Sequence, residues 1–139
     1  SLKEIFHRAE AVNDFVVTDS GENLIQGYKR AVNILTSEEK KDGVEYSLDP
    51  KIELIEEELE LTLYRKLMEV DKLIINDLEK GNSRGALQNL STLREPIDKF
   101  FNHVQINSEN SIVRRNRLCL LNQIKGVMHR VADFSEIDG

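Results

Sequence analysis

The chain has 139 residues and a formal net charge of −6, with 40% apolar and 32% charged residues. That balance belongs to one folded domain with at most a flanking helix, and it excludes a disordered chain. No apolar run approaches the roughly 20 residues of a membrane-spanning helix, and a single cysteine, Cys119, excludes an internal disulfide and a multi-thiolate metal site.

Helical spacing appears at once. Ile5, Phe6, Ala9 and Val12 share one face of a first helix over Leu2 to Phe15. Asp19-Ser20-Gly21-Glu22 reads as a capping box for a second helix running to about Thr36. Leu24, Tyr28, Ala31, Val32 and Leu35 form its apolar side, with Gln26, Lys29, Arg30 and Asn33 opposite. Ser37 to Leu48 is charged and aperiodic, which predicts a loop. Asp49-Pro50 is a helix start, with aspartate at the N-cap and proline at the first helical position. Ile52, Ile55, Leu59, Leu63, Leu67, Val70, Ile74 and Leu78 follow at steps of three and four up to Gly81. A fourth helix starts near Ser83, carries Ala86, Leu90, Leu93, Ile97, Phe100 and Val104, and is expected to kink at Pro96. The last helix starts between Ser108 and Ser111 and runs to about Asp133, with Val113, Leu120, Leu121, Ile124, Val127, Met128 and Val131 on its core side.

Helices with one-sided apolar stripes must bury them against each other, so the predicted class is an all-α bundle of about five helices. The chain opens at Ser1-Leu2 without a methionine and turns helical immediately, so it reads as a fragment of a longer protein. There is no basic–apolar leader with a small-residue cleavage site.

Charge is unevenly placed. Glu38 to Glu60 holds ten acids and three bases, whereas Ile112 to Arg130 holds Arg114, Arg115, Arg117, Lys125 and Arg130 with no acid. Catalytic signals are missing. The glycines are isolated, so no phosphate loop is formed. His7, His103 and His129 are not spaced as metal-ligand pairs, and no metal site is expected. Cys119 has no base partner in sequence, and consecutive Glu56, Glu57 and Glu58 point apart on a helix.

The last helix differs. At about 100° per residue, Arg114, Lys125, His129, Asn122 and Arg115 fall within one arc on the side away from the apolar stripe. A ridge of donors without acids can meet phosphates, and Asn122 could add a bond to a base or sugar. The same pattern also describes a solvated helix face. Arg117 falls inside the apolar arc and needs a partner if buried, and Glu95 and Asp98 on the preceding helix are the nearest acids by stripe position. A structural ion pair is expected there.

Two stretches carry a family resemblance. One is Leu93-Arg94-Glu95-Pro96-Ile97-Asp98-Lys99-Phe100-Phe101-Asn102-His103-Val104, followed by Ile106-Asn107. The other is Arg114-Arg115-Asn116-Arg117-Leu118-Cys119-Leu120-Leu121, closing with Arg130-Val131-Ala132-Asp133-Phe134-Ser135. Together with Tyr28-Lys29-Arg30-Ala31-Val32-Asn33-Ile34-Leu35 and Ala9-Glu10-Ala11-Val12, they resemble the C-terminal helical domain of the bacterial glycyl-tRNA synthetase beta chain, a DALR-type anticodon-binding domain.

The resemblance implies a DALR-like domain over residues 19–139, preceded by a flanking helix over 1–18. It implies a module that holds the anticodon arm of a glycine tRNA, in a cytoplasmic enzyme that joins glycine to tRNA with ATP and magnesium. In that family the chemistry sits on an alpha chain within an α2β2 assembly. The fragment itself would then carry no catalytic site and no cofactor, and would contact neither membrane nor DNA. Single-stranded loops are read by stacking and by hydrogen bonds to base edges, with phosphates fixing the register. The candidate phosphate contacts are Lys29, Arg30, Arg114, Arg115, Lys125 and Arg130, and the candidate base readers are Gln26, Asn33 and Asn122. Stacking groups are scarce: Trp is absent, and Phe100, Phe101 and Tyr28 sit at core spacing, which leaves His129 and the arginine planes. The competing reading is a structural domain whose basic helix docks an acidic partner chain.

Overall fold

The computed structural model describes residues 1–137. They form six α-helices: α1 (Leu2–Val16), α2 (Asp19–Asp42), α3 (Glu58–Glu79), α4 (Ser83–Ser91), α5 (Arg94–His103) and α6 (Ser111–His129). Single 3-10 turns lie at Ile52–Leu54 and Phe134–Glu136, and no strand occurs among the described residues. The expected all-α bundle is what forms.

Helices α2, α6, α3 and α5 close a ring in which each packs on the next, while α4 folds back on α3 and α1 lies against α4 and α2. The predicted stripes meet inside that ring. Leu24, Tyr28 and Leu35 of α2 are fully buried with Leu63, Leu67 and Ile74 of α3, Ile97 and Phe100 of α5 and Leu118, Leu121 and Ile124 of α6. Each such side chain contributes about 1.5–3 kcal/mol on burial.

The helix ends depart from expectation for identifiable reasons. Thr18, one residue before the predicted cap, starts α2, its Oγ1 accepting from the Gly21 N–H at 3.0 Å. Gly21 is needed where α1 and α2 meet, because a Cβ there would lie 2.0 Å from the Phe15 carbonyl oxygen. Residues 37–42 are not a loop but the last turns of α2, which stops at Gly43 in the left-handed region (φ 68°). Glu and Lys are good helix formers, and Glu38 and Asp42 in these turns are held by Arg114 of α6.

Asp49-Pro50 does not start a helix. The buried Asn116 amide of α6 accepts from the Lys51 N–H at 2.7 Å and donates to the Lys51 carbonyl at 3.0 Å, fixing that residue in extended geometry. Helix α3 begins instead at Glu58, where Glu60 Oε1 accepts from the Glu56 and Glu57 N–H groups at 3.3 Å each. The predicted fourth helix is two, broken at Thr92 and Leu93, so Pro96 is the third residue of α5 rather than a mid-helix kink. An N–H in a first turn has no partner within its helix, so its absence there costs no intrahelical bond. Helix α6 stops at His129. In α1 only Ala11 and Val12 are buried, whereas Leu2, Ile5 and Phe6 stay exposed.

Candidate nucleic-acid interface

Helix α6 starts on Asn110, whose side-chain oxygen accepts from the N–H groups of Ile112 and Val113. Its middle, residues 116–121, is buried on all sides, because the segment after α2 crosses over it. The donor ridge predicted along this helix is therefore interrupted. It survives as Arg115, which is exposed, and as Asn122 and Lys125, which are half-buried. Among the described residues neither Arg115 nor Lys125 makes a side-chain hydrogen bond or an ion pair within 4.0 Å, although Lys125 lies near enough to Asp133 to help Ser135 hold its carboxyl below the ordinary range.

Two other members of the ridge are occupied within the fold. Arg114 donates from Nη2 to Asp42 at 2.8 Å, from Nε to Asn107 at 3.0 Å and from Nη1 to the Tyr46 hydroxyl at 3.2 Å, with Glu38 at 3.4 Å. Tyr46 in turn donates to Asp42 at 2.6 Å. These bonds hold the Asp42 carboxyl below its ordinary range, the Tyr46 hydroxyl contributing most and Arg114 next. Arg130 forks onto Asp71 of α3, with Nη2 at 3.3 Å from Oδ2. Assigning Arg114 and Arg130 to phosphates from sequence overlooked acids that only the fold brings near them. His129 is also engaged, sharing a 2.6 Å hydrogen bond with the Tyr28 hydroxyl. Burial pushes the Tyr28 phenol up.

Arg117 is buried and paired, but its partner is Glu60 and not Glu95 or Asp98. Nε and Nη2 lie 3.2 and 3.1 Å from Glu60 Oε1, and Nη1 donates to the Gln105 carbonyl at 2.6 Å. Glu95 pairs with Lys99 of its own helix at 2.8 Å, and Asp98, half-exposed, has only Arg94 at 3.9 Å, so neither reaches Arg117. The reason is topological: α6 lies beside α3 and runs parallel to it, so the first turn of α3 meets the first half of α6.

On α2, Lys29 is half-buried and donates to the Ile137 carbonyl, while Asn33 is exposed beside Ile34, Gln105 and Ile106. Arg30 is exposed, its Cζ 4.7 Å from the centre of the Phe101 ring. That ring is only half-buried and lies on the wall of a cleft. Sequence spacing placed Phe101 in the core beside Phe100, and the adjacent-aromatic pair itself is the signal that one of the two must face outward. Cys119 is buried, and its thiol is pushed up by that burial, which makes it a poor nucleophile. Among the described residues no group of three or more His, Cys, Asp or Glu is placed to hold a metal ion, and no helix is long and apolar enough to cross a membrane.

A family model described as the DALR anticodon binding domain matches residues 24–137. The chain belongs to this family. The DALR match leaves out α1, but the sequence relatives include it. This chain is 46% identical over 138 residues, 99% of its length, to a glycine–tRNA ligase beta subunit of a Ruegeria species. It is 44% identical over the same span to one from Cereibacter sphaeroides and 43% identical over 135 residues to one from Paracoccus denitrificans. The chain spans about 20% of the length of each of these relatives.

Proposed function

We propose that this DALR domain binds the anticodon arm of a glycine tRNA as part of the beta subunit of a glycine–tRNA ligase. The observation that carries the reading is the 46% identity to such a subunit over 138 residues, which takes in α1 as well as the domain-family match. The fold supports it with an outward side of α6 on which Arg115 and Lys125 are left for phosphates and Asn122 for a base or sugar edge. On α2, Arg30 and the exposed amides Gln26 and Asn33 offer a second set of contacts. Lys29, Arg114 and Arg130 are assigned structural work in the free domain.

In this reading the domain positions tRNA and performs no chemistry. ATP and magnesium would act on the alpha chain of a cytoplasmic α2β2 enzyme, and the beta chain would bring the tRNA to it.

The test is fluorescence anisotropy with synthetic anticodon stem-loops. The glycine arm is expected to bind more tightly than arms carrying other anticodons. Log affinity should fall linearly with log salt, and Lys125→Ala or Arg115→Ala should each reduce the slope by about 0.7. Equal affinity for every arm, or none for any, would overturn the reading and favour a structural docking role.

A further inference from the structure

The cleft between α2 and α5 is lined by Asn23, Gln26, Gly27 and Arg30 on one side and by Asp98, Phe101 and Asn102 on the other, and it encloses about 300 Å³. Its floor is set by Gly27: a Cβ there would come within 3.0 Å of Ile97 Cγ2, so glycine lets the two helices approach. Its wall is the Arg30–Phe101 pair. Arg30 has no acid within ion-pair distance among the described residues, and the ring holds its guanidinium in place by cation–π attraction. Phe100 meets Phe101 edge-on at 5.6 Å, which fixes the ring from behind. The remaining lining is three neutral amides and one carboxylate, a polar edge with both donors and acceptors.

This combination differs from a phosphate site. Phosphate sites gather cations, whereas here one cation faces a carboxylate and a row of amides. A planar guanidinium backed by an aromatic ring is a platform for a nucleobase, and amides with a carboxylate complete the reading of a base edge. Resting on the tRNA reading above, we propose that this cleft receives one splayed base of the anticodon loop. The base stacks on the Arg30–Phe101 platform and is read along its edge by Gln26, Asn102 and Asp98. Asp98 only accepts, so it takes a base-edge N–H, an exocyclic amino group or a ring imino N–H, while the amides supply the matching donors.

The test is a scan of the synthetic glycine anticodon stem-loop in which each loop base is replaced in turn by an abasic site, bound to the wild-type chain and to Arg30→Lys. The lysine keeps the charge and loses the plane. One abasic position is expected to weaken wild-type binding about tenfold, and the same position should have little further effect on Arg30→Lys, which already binds the intact loop about tenfold more weakly. Any base restored at that position recovers the stacking surface and should bind more tightly than the abasic site. The salt slope of Arg30→Lys should match wild type, since no phosphate contact is removed. Phe101→Leu, checked by its melting temperature, should reproduce the loss, and exposed Asn102→Ala gives a readout independent of packing. If Arg30→Lys and Asn102→Ala bind the intact loop as wild type does while Lys125→Ala binds weakly, the cleft assignment is overturned and the tRNA reading stands. If wild type does not distinguish the glycine arm from others, both fall.

Discussion

Arg117 of α6 and Glu60 of α3 form an ion pair in which both guanidinium bonds fall on one oxygen. Nε and Nη2 reach Glu60 Oε1, which also receives the Glu56 and Glu57 N–H groups, while Oε2 is buried without a hydrogen-bond partner. The two side chains are 4% and 0% exposed, so neither charge can recover solvent if the other is removed. Glu60 thereby links the start of α3 to the middle of α6.

Arg117→Ala should lower unfolding free energy by about 3–5 kcal/mol, because it strands a buried carboxylate. The double variant Arg117→Met, Glu60→Leu removes both charges and should recover most of that loss. Chemical denaturation of the three proteins checks this. A single variant that unfolds with the parent would overturn the stranded-charge account of this pair.

The Arg114 cluster is predicted to act on stability, with a distinct pH dependence. Asp42 has its folded carboxyl held down, so its contribution is fully present above the unfolded value of about 3.9 and fades as pH falls through the lower folded value. Arg114→Ala should therefore melt below the parent at neutral pH, and the gap should narrow as pH is taken down through the carboxylate range. Added salt should narrow it too, since Arg114 and Asp42 are partly open to solvent. Thermal melts across pH and salt decide it, and a gap that is flat in both would rule out an electrostatic origin.

Asn116 explains a local signal that failed. From a buried position its amide accepts from the Lys51 N–H and donates to the Lys51 carbonyl, which also accepts from the Leu54 N–H at 3.1 Å. Asn116→Leu should cost about 2 kcal/mol, the net worth of two hydrogen bonds together with the Lys51 N–H left unmet. It should also speed amide exchange at Lys51, which hydrogen-exchange measurements would show directly. Unchanged exchange there would mean the segment is held by other contacts.

These three cases mark how far residue patterns reach. Periodicity located the core faces of α2, α3 and α6, because burying an apolar stripe is a requirement each helix carries in its own sequence. It missed the last turns of α2, the late start of α3 and the partner of Arg117, because all three depend on side chains that arrive from another helix. The candidate interface was less legible for the same reason. A helical wheel separates Arg114 from the core, but it does not show that Asp42 and Tyr46 stand beside it. Nor does it separate Phe101 from Phe100, since both fall near the same apolar arc while only one faces inward.

The glycines provide a last contrast with opposite signs. Gly21 sits where α1 ends and α2 begins, and an added methyl would lie 2.0 Å from a backbone oxygen that has nowhere to move. Gly21→Ala should cost about 3 kcal/mol by forcing the two helices apart. Gly126 lies inside α6 on its exposed side, and nothing is within 4 Å of a Cβ built there. Gly126→Ala should raise stability by about 0.5–1 kcal/mol, because alanine has less backbone freedom to lose in a helix. Denaturation midpoints of both variants measure the difference. A Gly126→Ala protein no more stable than its parent would indicate that the outward side of α6 is packed against something in solution.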